Sequence, residues 1–226
     1  MPSIKNIIPG IIALFLSYAA QAQSLKAVQQ IEGIPPKVAY RAIAHDGSGN
    51  LYVATSVDVF MIPSNNNRAQ PMSVGDQIMD VDWSPDYGLI LLSKDGSIRF
   101  TATGKVLTVD AGTGATCMDV TKTMIWVGTN NGVATVSIPQ EKVVKQYTTA
   151  DGILASNEIT FIHTDPSGIR WIGSRAGVVR IDGKKWKLYE KEQAITGITS
   201  TAEGAWMAAD SNMWLVDAYN RWYPID

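Results

Sequence analysis

The amino-acid sequence predicts an all-β fold, and within that class a β-propeller of five four-stranded blades. One pattern recurs at intervals of 35 to 45 residues, a period typical of propeller blades. Within each copy, hydrophobic stretches of about five residues alternate with turns rich in Gly, Asn and Asp. No stretch of the sequence shows the sustained apolar spacing of an amphipathic helix. A β-sandwich is the alternative, but a sandwich would not require an aromatic residue at a fixed period.

Residues 1–22 are predicted to be a secretory signal peptide and not part of the fold. A lysine-containing start precedes an apolar run over residues 7–20, and residues 20–22 read Ala-Gln-Ala, the small-residue pattern of a cleavage site. The run has about 14 residues, whereas about 20 are needed to span a bilayer. We therefore expect cleavage near Ala22-Gln23, a periplasmic or cell-surface location, and no membrane span in the mature chain.

The mature chain is predicted to divide into a leading segment, residues 23–36, and the propeller, residues 37–226. The leading segment resembles residues 143–154, an outer strand followed by an entry loop. It is therefore a candidate to close the ring by joining the last blade, or else a further outer strand. We expect a closed ring of five blades, and the alternative is an open arc finished by a partner.

The blades align on one position of their second strand. This position is occupied by Tyr52, Ile90, Trp126, Trp171 and Trp206. The innermost strands are predicted near residues 41–45, 77–83, 115–120, 158–163 and 194–199. Asp95-Gly96 and Asn131-Gly132 favour tight hairpins, because Gly and Asn accept a positive φ.

Composition excludes several classes of function. The formal net charge of −2 gives no attraction to nucleic acid. The single cysteine, Cys117, cannot form an intramolecular disulfide and lies in an apolar strand, so a buried, inert thiol is predicted.

The two histidines, His45 and His163, are predicted at the face opposite the binding face. They cannot supply a histidine-rich metal site, and we expect neither a cofactor nor catalysis.

The third and fourth repeats carry a more specific pattern. The matching residues are Asn157-Glu158-Ile159, Asp165, Gly168, Trp171-Ile172-Gly173-Ser174 and Gly177-Val178, and earlier Trp126-Val127-Gly128-Thr129 with Asn131-Gly132-Val133. They resemble the two-component regulator propeller repeat of extracellular sensor regions in hybrid histidine kinases, mainly of the Bacteroidetes. The resemblance implies an exported module that recognises a ligand. Family sensors carry more repeats, a membrane span and a kinase, so the resemblance does not imply signalling by this chain.

Propellers usually bind ligands at one face, through the loops between second and third strands and the loops that lead into the next blade. The candidate ligand-binding residues in these loops are Asp76, Lys94, Asn130, Asn157, Arg175 and Asp210. Together they form a polar rim of mixed charge. Such a rim suits a glycan, a peptide or another protein of the cell envelope.

Two neighbouring blades are also predicted to place a carboxylate on their innermost strand. Aligning Met79-Asp80-Val81 with Met118-Asp119-Val120 puts Asp80 and Asp119 where the other blades have Ile43, Ile162 and Ile198. A buried charge is costly without a partner. The two carboxylates, helped by Asp82, are therefore expected either to hold a structural cation or to be hydrogen-bonded in the channel wall.

Two functions are compatible with these patterns. The first is an exported, non-catalytic binding or scaffold module for a glycan, a peptide or an envelope protein. The alternative is a lyase or hydrolase acting on an exported carbohydrate-like substrate, with Asp80 and Asp119 as the best-placed pair of carboxylates.

Overall fold

The computed structural model confirms the predicted five-bladed β-propeller, with five four-stranded antiparallel sheets. The signal peptide predicted for residues 1–22, and residues 23–30 of the leading segment, lie outside the residues that it describes. The described residues are 31–112, 114–190, 193–201, 204–209, 212–217 and 219–225.

In every blade the strands pair in chain order, and the first strand lies innermost. Blade 1 comprises β1 (Tyr40–His45), β2 (Leu51–Thr55), β3 (Val59–Ile62) and β4 (Gln70–Pro71). Blade 2 comprises β5 (Ile78–Ser84), β6 (Gly88–Ser93), β7 (Ser97–Phe100) and β8 (Val106–Thr108). Blade 3 comprises β9 (Ala115–Val120), β10 (Met124–Thr129), β11 (Gly132–Ser137) and β12 (Lys142–Tyr147).

Blade 4 comprises β13 (Ile159–Thr164), β14 (Arg170–Ser174), β15 (Gly177–Asp182) and β16 (Lys185–Glu190). Blade 5 comprises β17 (Ile195–Thr201), β18 (Gly204–Ala209), β19 (Met213–Asp217) and β20 (Trp222–Ile225). A short 3₁₀ turn, Thr149–Asp151, leads from blade 3 into blade 4. The innermost strands begin within two residues of their predicted positions.

The anchor residues of the second strands occupy one equivalent position, as predicted. Each pairs with the same position of its innermost strand. The pairs are Tyr52 with Ala44, Ile90 with Asp82, Trp126 with Asp119, Trp171 with His163, and Trp206 with Thr199.

Every innermost strand contains a β-bulge at the same place, so that one extra residue has no direct partner on the second strand. The bulged residues are Arg41, Met79, Thr116, Thr160 and Thr196. This register makes Asp82, and not Asp80, the equivalent of Asp119. The alignment of the two Met-Asp-Val triplets is therefore wrong by two residues, because it matched identical letters and not hydrogen-bonded positions. The position of Ile43, Ile162 and Ile198 is occupied in blades 2 and 3 by Val81 and Met118, and not by Asp80 or Asp119.

The core lies between successive blades. Buried clusters join blade 1 to 2, blade 2 to 3, blade 3 to 4 and blade 4 to 5. A fifth cluster lies within blade 1, around Phe60 and Ile62, and packs against Ile34. At about 25 cal/mol for each Å² of apolar surface removed from water, these interfaces are the main source of stability.

Side-chain hydrogen bonds reinforce the same interfaces through the bulged residues. Thr116 donates its hydroxyl to the carbonyl of Ile159, the first residue of the next innermost strand, at 2.8 Å. Thr160 donates in the same way to the carbonyl of Ile195. In blade 1, Arg41 occupies the bulge, and its guanidinium donates to the equivalent carbonyl, that of Ile78, at 2.7 Å.

The blades thus form a series in which each innermost strand packs against the next. Among the described residues, β17 and β1 do not pack against each other as consecutive innermost strands do. The bulged Thr196 of blade 5 donates to Ala208 of its own blade, at 3.2 Å, and not to blade 1. These contacts correspond to the open arc and not to a ring closed through β1 and β17.

The described part of the leading segment lies against blade 1. Glu32 pairs in parallel with Arg68, and hydrogen bonds join Glu32 to Asn67 and Ala69 at 2.9 and 2.8 Å. The described part of the leading segment is therefore an additional outer segment of blade 1. In the described parts of the chain, no helix has the length and apolar character needed to cross a membrane.

Candidate functional site

The predicted binding loops lie together at one end of the blades, here called the loop face. In blades 1 to 4, the loop between the second and third strands is hydrogen-bonded to the loop that enters the same blade. Lys94 donates its amide to Gln77 at 2.8 Å, Asn130 to Gly114 at 3.0 Å, and Arg175 to Glu158 at 3.2 Å. A rigid main-chain frame therefore presents the side chains.

Three of the predicted residues are exposed on this face and take little part in the fold. The side chains of Lys94 and Asn130 flank Gly114 from two sides. Arg175 forms a salt bridge with Glu158 at 2.5 Å, and both side chains are more than half exposed. An exposed pair of this kind contributes little to stability and is free to exchange partners with a ligand.

The other predicted residues have structural roles or lie elsewhere. Asn157 accepts a hydrogen bond from the amide of Thr149 at 2.7 Å, which fixes the entry loop of blade 4. The carbonyl of Asp76 accepts from Arg41 at 2.5 Å, while the rest of Asp76 is exposed. Asp210 lies outside the described residues.

Sequence reasoning missed two charged members of the loop face, Arg41 and Glu158. Glu158 belongs to the repeat motif Asn157-Glu158-Ile159, but the motif does not indicate that its side chain pairs with Arg175. Arg41 could have been found only from the bulge, because it occupies the position at which blades 3, 4 and 5 have threonine. With them the loop face carries charges of both signs in neighbouring blades.

Asp80 is a bridge between blades 2 and 3. One carboxylate oxygen accepts from the amide of Val81 at 2.8 Å, and the other from the amide of Met118 in the next blade at 2.7 Å. Burial raises the pKa of Asp80 to about 7, because removal from water penalises the charged form.

Asp82 and Asp119 repeat this arrangement two residues further along their strands. Asp82 accepts from Trp83 at 2.7 Å and from Val120 of blade 3 at 3.0 Å. Burial raises the pKa of Asp82 to about 6. Asp119 accepts from the amide and hydroxyl of Thr164 in blade 4, at 2.9 and 2.6 Å.

The guanidinium of Arg170 lies 3.3 Å from Asp119 and compensates its charge. Asp80 and Asp82 have main-chain partners instead, so all three carboxylates are hydrogen-bonded across a blade interface. Within the described residues, no group of three or more His, Cys, Asp or Glu side chains could hold a metal ion. Cation binding by Asp80 and Asp119 stays a prediction.

The histidines lie at the end of the blades opposite the loop face. His45 ends β1 beside the turn at Asp46, and His163 is at 2.8 Å from the hydroxyl of Ser200 in blade 5. Burial lowers the pKa of His163. His163 holds the position of Asp119 in its own strand, so the pair continues the series of interblade bridges.

Cys117 is buried between blades 3 and 4, as predicted. Burial raises the pKa of its thiol to about 12. A thiol that stays protonated at neutral pH is a poor nucleophile.

No protein-family model matches the sequence, and no curated protein matches it significantly. Solved structures share the fold. The extracellular domain of a one-component system protein from B. thetaiotaomicron superposes with a TM-score of 0.68 at 14% identity, covering 83% of this chain and 30% of that chain. The extracellular domain of a hybrid two-component system protein from the same organism gives 0.67 at 14%, covering 90% and 30%.

Virginiamycin B lyase from Staphylococcus aureus gives a TM-score of 0.66 at 13% identity, covering 83% of this chain and 70% of that chain. At such identities the likeness shows the fold alone. The chain spans less than a third of the two extracellular domains that it resembles.

Proposed function

We propose that this chain is an exported, non-catalytic recognition module whose loop face binds a glycan, a peptide or a protein of the cell envelope. The observation that carries the proposal is the set of exposed polar side chains, Lys94, Asn130 and Arg175, held on a hydrogen-bonded main-chain frame. A fold that needs none of these side chains for packing leaves them available for a ligand.

Two further observations support the proposal. The fold is shared with extracellular domains of Bacteroides one- and two-component system proteins, and a secretory signal peptide is predicted for residues 1–22. We also propose that the repeats belong to the two-component regulator propeller family, on the Trp-x-Gly-Thr and Trp-x-Gly-Ser motifs of blades 3 and 4. The expected location is the periplasm or the cell surface.

The test is ligand capture by a loop-face variant. The purified mature chain is screened against arrays of neutral and acidic glycans and of peptides, and against envelope extract of its host. The triple variant Lys94→Ala, Asn130→Ala and Arg175→Ala is expected to lose at least 90% of the signal from any ligand that the unchanged protein retains.

The matched control changes the same residue types at the opposite end of the blades, as Lys122→Ala, Asn65→Ala and Arg68→Ala. All three control positions are exposed. Equal retention by the loop-face variant and the control would contradict a binding role for the loop face. Mass spectrometry of the ligand after incubation tests for catalysis. Any cleaved or rearranged product would contradict the proposal that the module is non-catalytic.

A further inference from the structure

A groove on the outer circumference, bordered on one side by the loop that enters blade 4, combines aromatic rings with lysines that form no salt bridge among the described residues. It lies between the outer strands of blades 3 and 4 and has a volume of about 340 Å³. Its lining residues are Lys145, Tyr147, Asp151, Ile153, Lys184 and Trp186. This volume is at the lower end of the range for small-ligand sites, about 300–1,000 Å³.

The aromatic wall of the groove is fixed by a stack that crosses the blade interface. Tyr147 lies parallel to Trp126, with ring centroids 5.9 Å apart and 4° between planes. On its other side it contacts Trp186 of blade 4, at 4.8 Å and 45°. Arg170 covers Trp126 at 4.3 Å from its centroid. Tyr147 is therefore packed between two tryptophan rings, and the half-buried ring of Trp186 is held in place as the wall of the groove, with little loss of side-chain freedom on binding.

The groove carries a positive charge that the fold does not use. Neither Lys145 nor Lys184 forms a salt bridge within the described parts of the chain. The ammonium of Lys145 lies 4.5 Å from the centroid of Tyr147, directly at the aromatic wall. The one carboxylate in the lining, that of Asp151, accepts the amide of Thr148 at 2.7 Å. The lining of the groove thus contains two ammonium groups and one carboxylate, which already accepts a main-chain hydrogen bond.

We propose that this groove binds one or two residues of an acidic oligosaccharide, with a hexuronate as the recognised sugar. A pyranose ring presents an apolar C–H face that packs on the ring of Trp186. The hexuronate carboxylate then lies at the edge of the ring, within reach of Lys145 and Lys184, where charge-assisted hydrogen bonds form.

Isothermal titration of the mature chain with trigalacturonic acid tests this site, with maltotriose as the neutral trisaccharide of equal length. Binding of the acidic sugar is expected to be at least tenfold tighter than that of maltotriose and to weaken with added salt. The double variant Lys145→Gln and Lys184→Gln is expected to weaken it by tenfold or more. The matched double variant Lys142→Gln and Lys187→Gln removes the same charge from the same strands outside the groove lining, and should keep affinity within about threefold.

A second variant, Trp186→Leu, removes a ring of the wall and keeps an apolar side chain. We expect tenfold weaker binding and loss of the tryptophan fluorescence change that accompanies binding, with thermal unfolding recorded to verify the fold. Absence of trigalacturonate binding, equal binding of maltotriose, or equal loss in the two lysine variants would overturn the proposal. Tighter binding of a hexaglutamate peptide than of trigalacturonate would also overturn it, in favour of an acidic peptide.

The site stands apart from the proposed function of the loop face. The loop-face triple variant is expected to bind trigalacturonate as the unchanged protein does. Loss of binding in that variant would place the saccharide at the loop face and overturn the groove assignment.

Discussion

At the scale of single residues, the partly buried carboxylates of blades 2 and 3 are the most unusual groups among the described residues. Asp80 and Asp82 each bond to main-chain amides on both sides of an interface, yet no cation partner lies on them in the described residues. Burial dominates their ionisation and raises the pKa of Asp80 to about 7 and that of Asp82 to about 6. Asp119 adds a like charge to both sites, and His45 acts on Asp82 in the opposite sense.

These raised pKa values predict that stability falls as the pH rises from about 4 to 7. The unfolded carboxyls lose their protons near pH 3.8, whereas the folded ones keep them up to about pH 7 and 6. The folded state therefore binds more protons in that window. Each retained proton contributes a slope approaching about 1.4 kcal/mol per pH unit to the free energy of unfolding. Urea denaturation of the unchanged protein and of Asp80→Asn, at several pH values from 4.5 to 7.5, measures how the free energy of unfolding changes with pH.

Across this pH range, we expect the free energy of unfolding of Asp80→Asn to decline less steeply than that of the unchanged protein. Asp86→Asn changes an exposed carboxyl and should leave the decline as it is. Parallel curves for all three proteins would show that Asp80 does not titrate in this range.

At the scale of elements, the repeated motif of blades 3 and 4 is explained by the turn and by the neighbouring blade. A Cβ atom on Gly128 would come within 2.7 Å of Ile159, and one on Gly173 within 3.0 Å of Ile195. Glycine there lets the next innermost strand approach closely. Thr129, the residue that follows Gly128, is fully buried and donates its hydroxyl to Gly132, the far end of the turn, at 2.9 Å.

This turn hydroxyl is expected to contribute measurably to stability. In Thr129→Val the carbonyl of Gly132 and the amide of Asn131 both lose their partner, and a buried unpaired group costs about 1–3 kcal/mol. Thr129→Ser keeps the hydroxyl, as Ser174 does in blade 4 at 3.0 Å, and should recover most of the loss. Chemical denaturation of the two variants compares them directly, and equal stability would contradict the role of the hydroxyl.

The bulged threonines provide a second test at this scale. Thr160→Val removes a bond between blades 4 and 5, so we expect a loss of about 0.5–1.5 kcal/mol. Thr196→Val removes a more exposed bond within blade 5 and is expected to cost less. A larger loss for Thr196→Val in thermal unfolding would show that the interblade bond is not the stronger of the two.

At the scale of the whole molecule, consecutive innermost strands pack against each other from β1 to β17, and no comparable packing joins blade 5 to blade 1 among the described residues. Blades 2, 3 and 4 are packed on both sides, whereas blades 1 and 5 have one neighbouring blade each among the described residues. Stability in such an array is approximately a sum over neighbouring interfaces. The end blades should therefore open at lower free energy than the central ones.

Hydrogen exchange followed by mass spectrometry tests this gradient. We expect the amides of β10 and β11 in blade 3 to exchange at least tenfold more slowly than those of β18 and β19 in blade 5. Equal protection of the two blades would show that blade 5 has a second packing partner and that the arc is closed in solution.

The sequence predicted the blades well because each blade is a local unit with its own turns and its own anchor. The five anchors, the strand positions and the buried Cys117 follow from patterns within about 40 residues. The relation of Asp82 to Asp119 did not, since it depends on how each innermost strand pairs with its second strand, and the two Met-Asp-Val triplets are offset by two residues in that pairing. The role of Arg41 and the contacts at blade 5 depend on packing between blades, which a periodic pattern does not encode.

The recurring bulge makes the boundaries after blades 1, 3 and 4 interchangeable. Because the acceptor is always a main-chain carbonyl at the first position of the next innermost strand, the bond does not depend on which blade follows. A gene in which the codons for residues 116–159 are duplicated end to end would keep each bond of this type, including that of Asp119 to an amide at the position of Val120. Tandem duplication can thus lengthen such a protein by whole blades in a single genetic event, and the expected product, an arc of six blades, would be recognised by its larger radius in small-angle X-ray scattering.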